Sequence, residues 1–384
     1  MKKFLALILA LALVLPVLAA ADDGWTTVNA TEKRGIKLKK VGLNETPAGV
    51  SPTTGLDLSD YDDLPSTYLG LAVDGRYQPM LVQIDNSLGG VGDNKPWNLG
   101  YADVIYESPL HANGTTRISA LFSDILPDEA GPVRSARVGH TWLREEWDAG
   151  FIFYGGQTKK GSNIEDEFSK YGANKKGLIF SGTVGKGKAW KQFYTRVKHH
   201  KSPHNVNANV AEISKLISAS FKAPNHAFLF TDELPDGDPA EEIIIDWKRA
   251  EMSSHFYFDF DTNSYYRYLG AEEDKLQPWE DYYSGEQYAF ANVIVQHTTV
   301  KWNRSSDAPV TTHVGEGNAD IFMGGVHIAG YWKRADMASR TVFYDAEGNE
   351  IQLQRGRTFI SILPNLLHEG KTKKDTTYTA VLYK

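Results

Sequence analysis

Between residues 79 and 156 the apolar positions come in short blocks: "PMLVQIDN" (79–86), "ADVIYESPL" (102–110), "TRISALFS" (116–123) and "GFIFYGG" (150–156). Each is rich in β-branched or aromatic residues and bounded by Gly, Pro or Asn. Several run on without alternation, the pattern of strands buried on both faces. A helical period replaces it in "SARVGHTWLREEWDAG" (135–150) and "NVAEISKLISASF" (209–221). Strands mixed with helices predict an α/β or α+β N-terminal domain with a mixed sheet over 77–238.

The charge-rich "TDELPDGDPAEE" (231–242) marks the boundary. Beyond it, "SSHFYFDFDTNSYYRYL" (253–269) alternates around Asp-Thr-Asn, and "TVFYDAEGNEIQLQRGRTFISILP" (341–364) alternates around Glu-Gly-Asn and Arg-Gly-Arg. Both are hairpin signals and predict a predominantly β C-terminal domain over 239–384. Ahead of the first block, 22–76 is polar and turn-rich, a tether or an irregular wrap. No fixed-period repeat interrupts this organisation.

Residues 1–21 carry Lys2 and Lys3, an apolar run from Phe4 to Leu18, and Ala19, Ala20 and Ala21. That is the layout of a secretory signal peptide. Pro16 breaks the run, which falls short of the roughly 20 residues a spanning helix needs. The expectation is a secreted or extracytoplasmic protein with no transmembrane segment after cleavage. Removing the segment deletes two lysines, taking the formal net charge from −7 to −9. So acidic a chain is a poor nucleic-acid binder. The sequence contains no cysteine, which excludes disulfides, thiol nucleophiles and thiolate zinc sites and leaves stability to a packed core.

The chemistry concentrates around "GPVRSARVGH" (131–140). A helix starting near Ser135 would have that residue as its cap, with Arg134 and Arg137 beside the free N–H groups of the first turn. Such a place suits a carboxylate, phosphate or sulfate. Arg137, His140 and Arg144 share a helix face by spacing. The same arginines could instead pair with the protein's own acids, Glu129 or Glu107 among them. Further candidates stand at strand ends, where ligands gather in α/β sheets: Asp85 and Asn86 in "QIDN", Glu107 in "ADVIYE", Thr116 and Arg117 in "GTTRIS". "RVKHHKSPHN" adds Arg196, His199, His200, His204 and Asn205.

Asp85, Glu107 and His204 are the candidates for proton transfer. Arg117, Arg134, Ser135, Arg137, Asn86, Thr116, Arg196 and Asn205 are the candidates for ligand binding. No nucleophile motif or Walker loop occurs, and "GTVGKGKAW" (182–190) lacks the G-K-[ST] ending. His199, His200 and His204 lie near enough in sequence for two of them to ligate one ion with Asp85 or Glu107, or are solvated side chains of a lysine-rich loop; the expectation is no metal and no cofactor. Trp302, Tyr331 and Trp332 beside lysines and arginines are core side chains or the wall of a sugar groove.

"PMLVQIDNS", "GYADVIYESPL", "TTRISALFS", "GPVRSAR", "FYGG" and "SPHN", in that order, resemble the N-terminal domain of the YerB-like bacterial lipoproteins. "FYFDFDTNSYYRYLGA", "YSGEQYAFANVIVQ" and the stretch 317–364 resemble its C-terminal domain. The resemblance implies an exported two-domain protein on the outer face of the cytoplasmic membrane, with no activity attached to the family. Two features depart from the family. The acylated lipobox cysteine is missing, so the expectation is no lipid anchor, and "HANGTTR" (111–117) replaces an acidic turn. Two functions follow: a binding or scaffold protein whose arginines grip an anionic envelope polymer fragment or an envelope protein, or a hydrolase or transferase acting on peptidoglycan or a similar polymer through Glu107 or Asp85 with His204.

Overall fold

The unbroken apolar blocks become the inner strands of an 11-stranded mixed sheet. In the computed structural model, residues 24–384 are described except 62, 87–94, 184–186, 271–272, 304–307, 369–371, 373 and 375. Segment 1–21, the middle of the 182–190 loop and the Trp302 side chain lie outside the described residues. The strands are β1 Met80–Asn86, β2 Val104–Pro109, β3 Thr116–Phe122, β4 Gly150–Phe153, β5 Ile179–Ser181, β6 Asp238–Pro239, β7 Asn292–Thr298, β8 Gly315–Met323, β9 Val326–Arg334, β10 Val342–Tyr344 and β11 Thr358–Pro364. Their spatial order is β6-β9-β8-β7-β11-β2-β3-β1-β4-β5, with β10 beside β9.

Every residue of β1, β2, β3, β7 and β11 is buried, which is why these segments show no alternation. β11 lies between β7 and β2, parallel to both. The sheet therefore runs without interruption across strands from either side of the 231–242 boundary.

A second, seven-stranded sheet holds Thr26–Thr27, Glu242–Asp246, Ser254–Asp259, Ser264–Leu269, Gln277–Pro278, Ala289–Phe290 and Ala380–Tyr383. The hairpin read from 253–269 forms between its 254–259 and 264–269 strands. The one read from 341–364 does not form as expected. Tyr344 bridges Glu350 around a tight turn, but Gln352–Gln354 then pairs in parallel with Leu229–Thr231, and β11 leaves for the centre of the large sheet. There β11 has a parallel neighbour on each edge and is buried along its whole length.

The helix expected over 135–150 is α1, Val138–Trp147. It does not begin near Ser135. Residues 134–136 are held extended, Arg134 N donating to Gln83 O at 2.8 Å and Ala136 N to Gly155 O at 3.0 Å, so Arg137 is the cap residue. The helix read over 209–221 shrinks to Val210–Ser214, capped by Asn209. Ser218 and Ser220 bond each other beyond it, the local competition that disfavours serine within helices. A helix the pattern did not announce, α2 Ile164–Tyr171, starts at Asn163 and stops at Gly172, whose φ of 76° is the left-handed value glycine tolerates.

Two apolar layers cover the large sheet. Val82, Ile84, Ile105 and Ile118 pack toward Trp247 and Phe256 of the second-sheet side. Leu81, Val104 and Leu121 pack toward Leu143, Trp147 and Phe168 of α1 and α2. Neighbours in sequence thus face opposite layers, as the two-residue period of a strand demands. Residues 24–76 wrap the sheet edges irregularly. Arg34 Nη2 donates to Asp320 at 2.7 Å, and Ser51 Oγ to Asp124 at 2.9 Å. Among the described residues no helix is long and apolar enough to cross a membrane.

Candidate functional site

Strand register sorts the candidate residues before any side chain is considered. Asp85 of β1 lies opposite Arg117 of β3, and Arg117 opposite Ser108 of β2. Asn86 lies opposite Thr116, and Ile118 opposite Glu107. With a period of two, Asp85 and Arg117 face the helical layer, whereas Asn86, Thr116 and Glu107 face the second sheet. The two carboxylates offered as alternative partners of His204 are on opposite faces.

The Glu107 network is closed. Its Oε1 accepts from Thr116 Oγ1 at 2.7 Å and Asn86 Nδ2 at 3.1 Å, and its Oε2 from Ser254 Oγ at 3.2 Å. Arg267 Nη2 reaches Oε1 at 3.3 Å, both side chains being fully buried. Burial pulls the Arg267 guanidinium down to about 10, opposed by Glu107, and the group stacks over Trp279 at 4.1 Å. This is a structural ion pair. Glu107 is fully buried and engaged by four side chains, so the carboxylate offered for proton transfer has no exposed surface here, and Asn86 and Thr116 hydrogen-bond it. Arg267 and Ser254 were missed by sequence reasoning because nothing local marks a residue 160 positions from its partner.

The Asp85 network stands where parallel neighbours diverge. β4 pairs with β1 only as far as Val82, and the 131–134 segment takes over that edge, Asp85 N donating to Pro132 O at 2.8 Å and Val133 bridging Ile84. Tyr154 N, past the end of β4, donates to Arg134 O at 3.0 Å. Arg134, Ser135 and Arg137 consequently sit at the carboxyl ends of two parallel strands, the position where α/β sheets hold ligands.

There, Arg117 Nη1 donates to Asp85 Oδ1 at 2.8 Å. Arg134 Nε lies 3.4 Å from Oδ2, and His204 Nδ1 makes a close contact with the same oxygen. Asp85 and Arg117 are buried, while Arg134 and His204 keep 24% and 18% of their side chains exposed and so reach solvent. Arg137 has no acidic partner among the described residues. Among the described residues its Nη1 donates to its own neighbour's carbonyl, Ala136 O, at 2.9 Å, and its Nε is buried without a partner. Burial first, then Arg117 and Arg134, bring it down to about 10. Burial also lowers Arg117, against the pull of Asp85. Two guanidinium groups therefore share the Asp85 carboxylate, and the third, Arg137, is influenced by both of them without an acid of its own among the described residues.

His140 sits beneath them. Its Nδ1 accepts from Arg137 N at 3.1 Å, and burial together with Arg117 and Arg137 holds its pKa well below the usual range. A neutral imidazole there fixes the Arg137 backbone without adding charge.

The other candidates are peripheral or elsewhere. Ser135 Oγ donates to Tyr154 O at 3.2 Å and caps no helix. Arg196 stacks over Tyr154 at 5.4 Å and donates to Asn205 Oδ1 at 2.6 Å, so these two brace the loop carrying His204. His200 Nε2 lies 3.1 Å from Lys95 O, and His199 stacks on Tyr282 at 4.0 Å. Among the described residues no group of three His, Asp or Glu is placed to hold a metal. Arg144 is fully buried against Glu145 and Asp148. Trp332 is a core side chain, its Nε1 donating to His297 O at 2.7 Å.

Comparisons with known proteins agree with this architecture. A family described as protein of unknown function (DUF3048) matches twice, its N-terminal domain at residues 70–223 and its C-terminal domain at 243–360, together well over half of the chain. A Bacillus subtilis (strain 168) protein named "Putative lipoprotein YerB" is 23% identical over 277 residues, covering 70% of this chain and 76% of its own. The crystal structure of YerB from Bacillus subtilis superposes with a TM-score of 0.62 at 19% identity, covering 87% of this chain and 99% of that one. That likeness is one of fold.

Proposed function

The chain belongs to the DUF3048 family, and from that membership and the geometry of these arginines we propose that it is an extracytoplasmic binding protein whose Arg117, Arg134 and Arg137 grip an anionic group of a cell-envelope component. The lipoprotein name of the Bacillus relative supports the compartment, as does the signal-like segment 1–21. One observation carries the binding role: Arg137 is a largely buried guanidinium with no acidic partner among the described residues, near two others that already share the Asp85 carboxylate. A carboxylate or phosphate bound at these arginines would supply the missing negative charge and accept from orphaned N–H groups. Asp85 fixes the orientation of Arg117 and Arg134 so that little side-chain entropy is lost on binding.

Titration calorimetry with inorganic phosphate at low ionic strength tests this. Binding is expected in the wild type and is expected to weaken by about 10- to 100-fold in Arg137→Gln, the loss of one charge-assisted hydrogen bond. Equal affinity in the two proteins overturns the reading.

A second reading, a hydrolase or transferase on an anionic envelope polymer, draws on one contact. His204 is held by Asp85 through Nδ1 while partly exposed, leaving Nε2 as a proton acceptor in the manner of a carboxylate-oriented base. Release of soluble fragments from purified cell wall, abolished by His204→Gln, would favour it over binding alone.

A further inference from the structure

A separate cavity of about 760 Å³ lies where the N-terminal wrap crosses the β9–β10 edge, within the usual size range of small-ligand sites. Its wall at 38–43 is a strap pinned at both ends. Lys39 N donates to Gly348 O at 2.8 Å. Asn44 Nδ2 donates to Glu350 at 2.7 Å, and Arg340 joins the same carboxylate through both terminal nitrogens while donating to Gly42 O at 2.8 Å. The strap is thereby held off the sheet, and the space beneath it stays open.

The lining is amphipathic. Leu38, Val41, Leu43, Val342 and Tyr344 supply apolar surface, and Leu43 stands 71% exposed at the lip. The charge at the cavity is positive. Arg340 is neutralised by Glu350 and Lys333 by Glu316. Asp336, an exposed carboxylate of the lining that accepts from Ala338 N and from Ser339 N and Oγ, offsets only one of the lysine charges named next. Lys39 and Lys40 have no acidic partner among the described residues, Lys39 Nζ donating to the Asn349 amide. His226, 5% exposed, lines the cavity with its Nδ1 unpartnered among the described residues.

We infer that this cavity binds a free single-chain amphiphile with an anionic headgroup: the chain covers Leu43 and lies against Val41 and Val342, and the headgroup lies at Lys39 and Lys40. Apolar surface selects the chain by burial, unpaired ammonium groups select the sign, and an orphaned imidazole nitrogen adds a hydrogen-bonding position.

Calorimetry with sodium octanoate, decanoate and dodecanoate below their micellar concentrations tests the inference. One-to-one binding is expected, tightening by about threefold to fourfold per added methylene. Ala338→Trp, on an exposed turn of the cavity wall, should reduce dodecanoate affinity by at least about tenfold with an unchanged melting midpoint, since the ring fills the space the chain would take. Lys40→Glu should weaken binding by about threefold at low salt. Absence of saturable binding, dodecanoate binding unaffected by Ala338→Trp, or equal affinity for an uncharged dodecyl glycoside overturns it. So does association only with phosphatidylglycerol vesicles, which would make the source a membrane instead of a free amphiphile. Phosphate binding at Arg137 is independent of all these outcomes.

Discussion

Arg137 and Arg267 are chemically alike and opposite in meaning. Each is brought down to about 10 by burial, but Arg267 faces Glu107 across 3.3 Å and Arg137 faces other cations. Removing one member of a buried pair strands the other charge, whereas removing an unpaired buried cation relieves repulsion. Arg267→Met is therefore expected to cost about 3–5 kcal/mol in chemical denaturation, and Arg137→Gln to leave the unfolding midpoint unchanged or raised. Arg134 lies between these limits, partly exposed and 3.4 Å from Asp85. Arg134→Ala should cost no more than about 1 kcal/mol of stability while weakening phosphate binding. A loss of several kcal/mol there would identify the arginine cluster as an internal ion-pair network.

At the scale of elements, α1 couples the arginine cluster to the helical layer and carries a titration of its own. Glu145, one position after the buried Arg144, is raised to about 7, mainly by burial, with Arg144 opposing and Asp148 adding to the rise. A carboxyl raised in the folded state favours folding in its protonated form. Its contribution is greatest below the unfolded value near 4.5 and is lost as pH climbs through about 7. Denaturation between pH 5 and 8 should show the wild type losing up to about 3 kcal/mol relative to Glu145→Gln across that window. Parallel curves for the two proteins would mean that Glu145 stays ionised throughout. The 131–136 segment shows the same coupling in the backbone: its hydrogen bonds to β1 and to the end of β4 delay α1 until Val138 and set Arg134 and Arg137 in that cluster.

For the whole molecule, the position of β11 dominates. A strand from 358–364 inserted between β7 and β2 leaves the matched segments 70–223 and 243–360 each with a bare, apolar sheet edge when separated, and such edges aggregate or fail to order. Expressed apart, fragments 24–235 and 236–384 should each lack a cooperative melting transition, and mixing them should restore one. Independent cooperative melting of either fragment would show that the sheet junction is dispensable.

The grouping of arginines beside Asp85 was legible in the sequence in part. Asp85, Arg117, Arg134, Arg137 and His204 stand at strand ends or in loops beside them, and strand ends can be read from where apolar runs stop. Glu107 satisfied the same criterion and went elsewhere, because whether two strand-end residues share a face depends on register, and register is a property of the pair of strands. For the same reason the 341–364 hairpin was misread: alternation is local, but β11's partners come from residues 104–109 and 292–298. What the sequence determined by itself was element type, through apolar period, and the absence of thiol chemistry, through composition. What only the tertiary structure decided was which charges meet, since contacts between residues 32 to 160 positions apart are fixed by packing and leave no periodic trace along the chain.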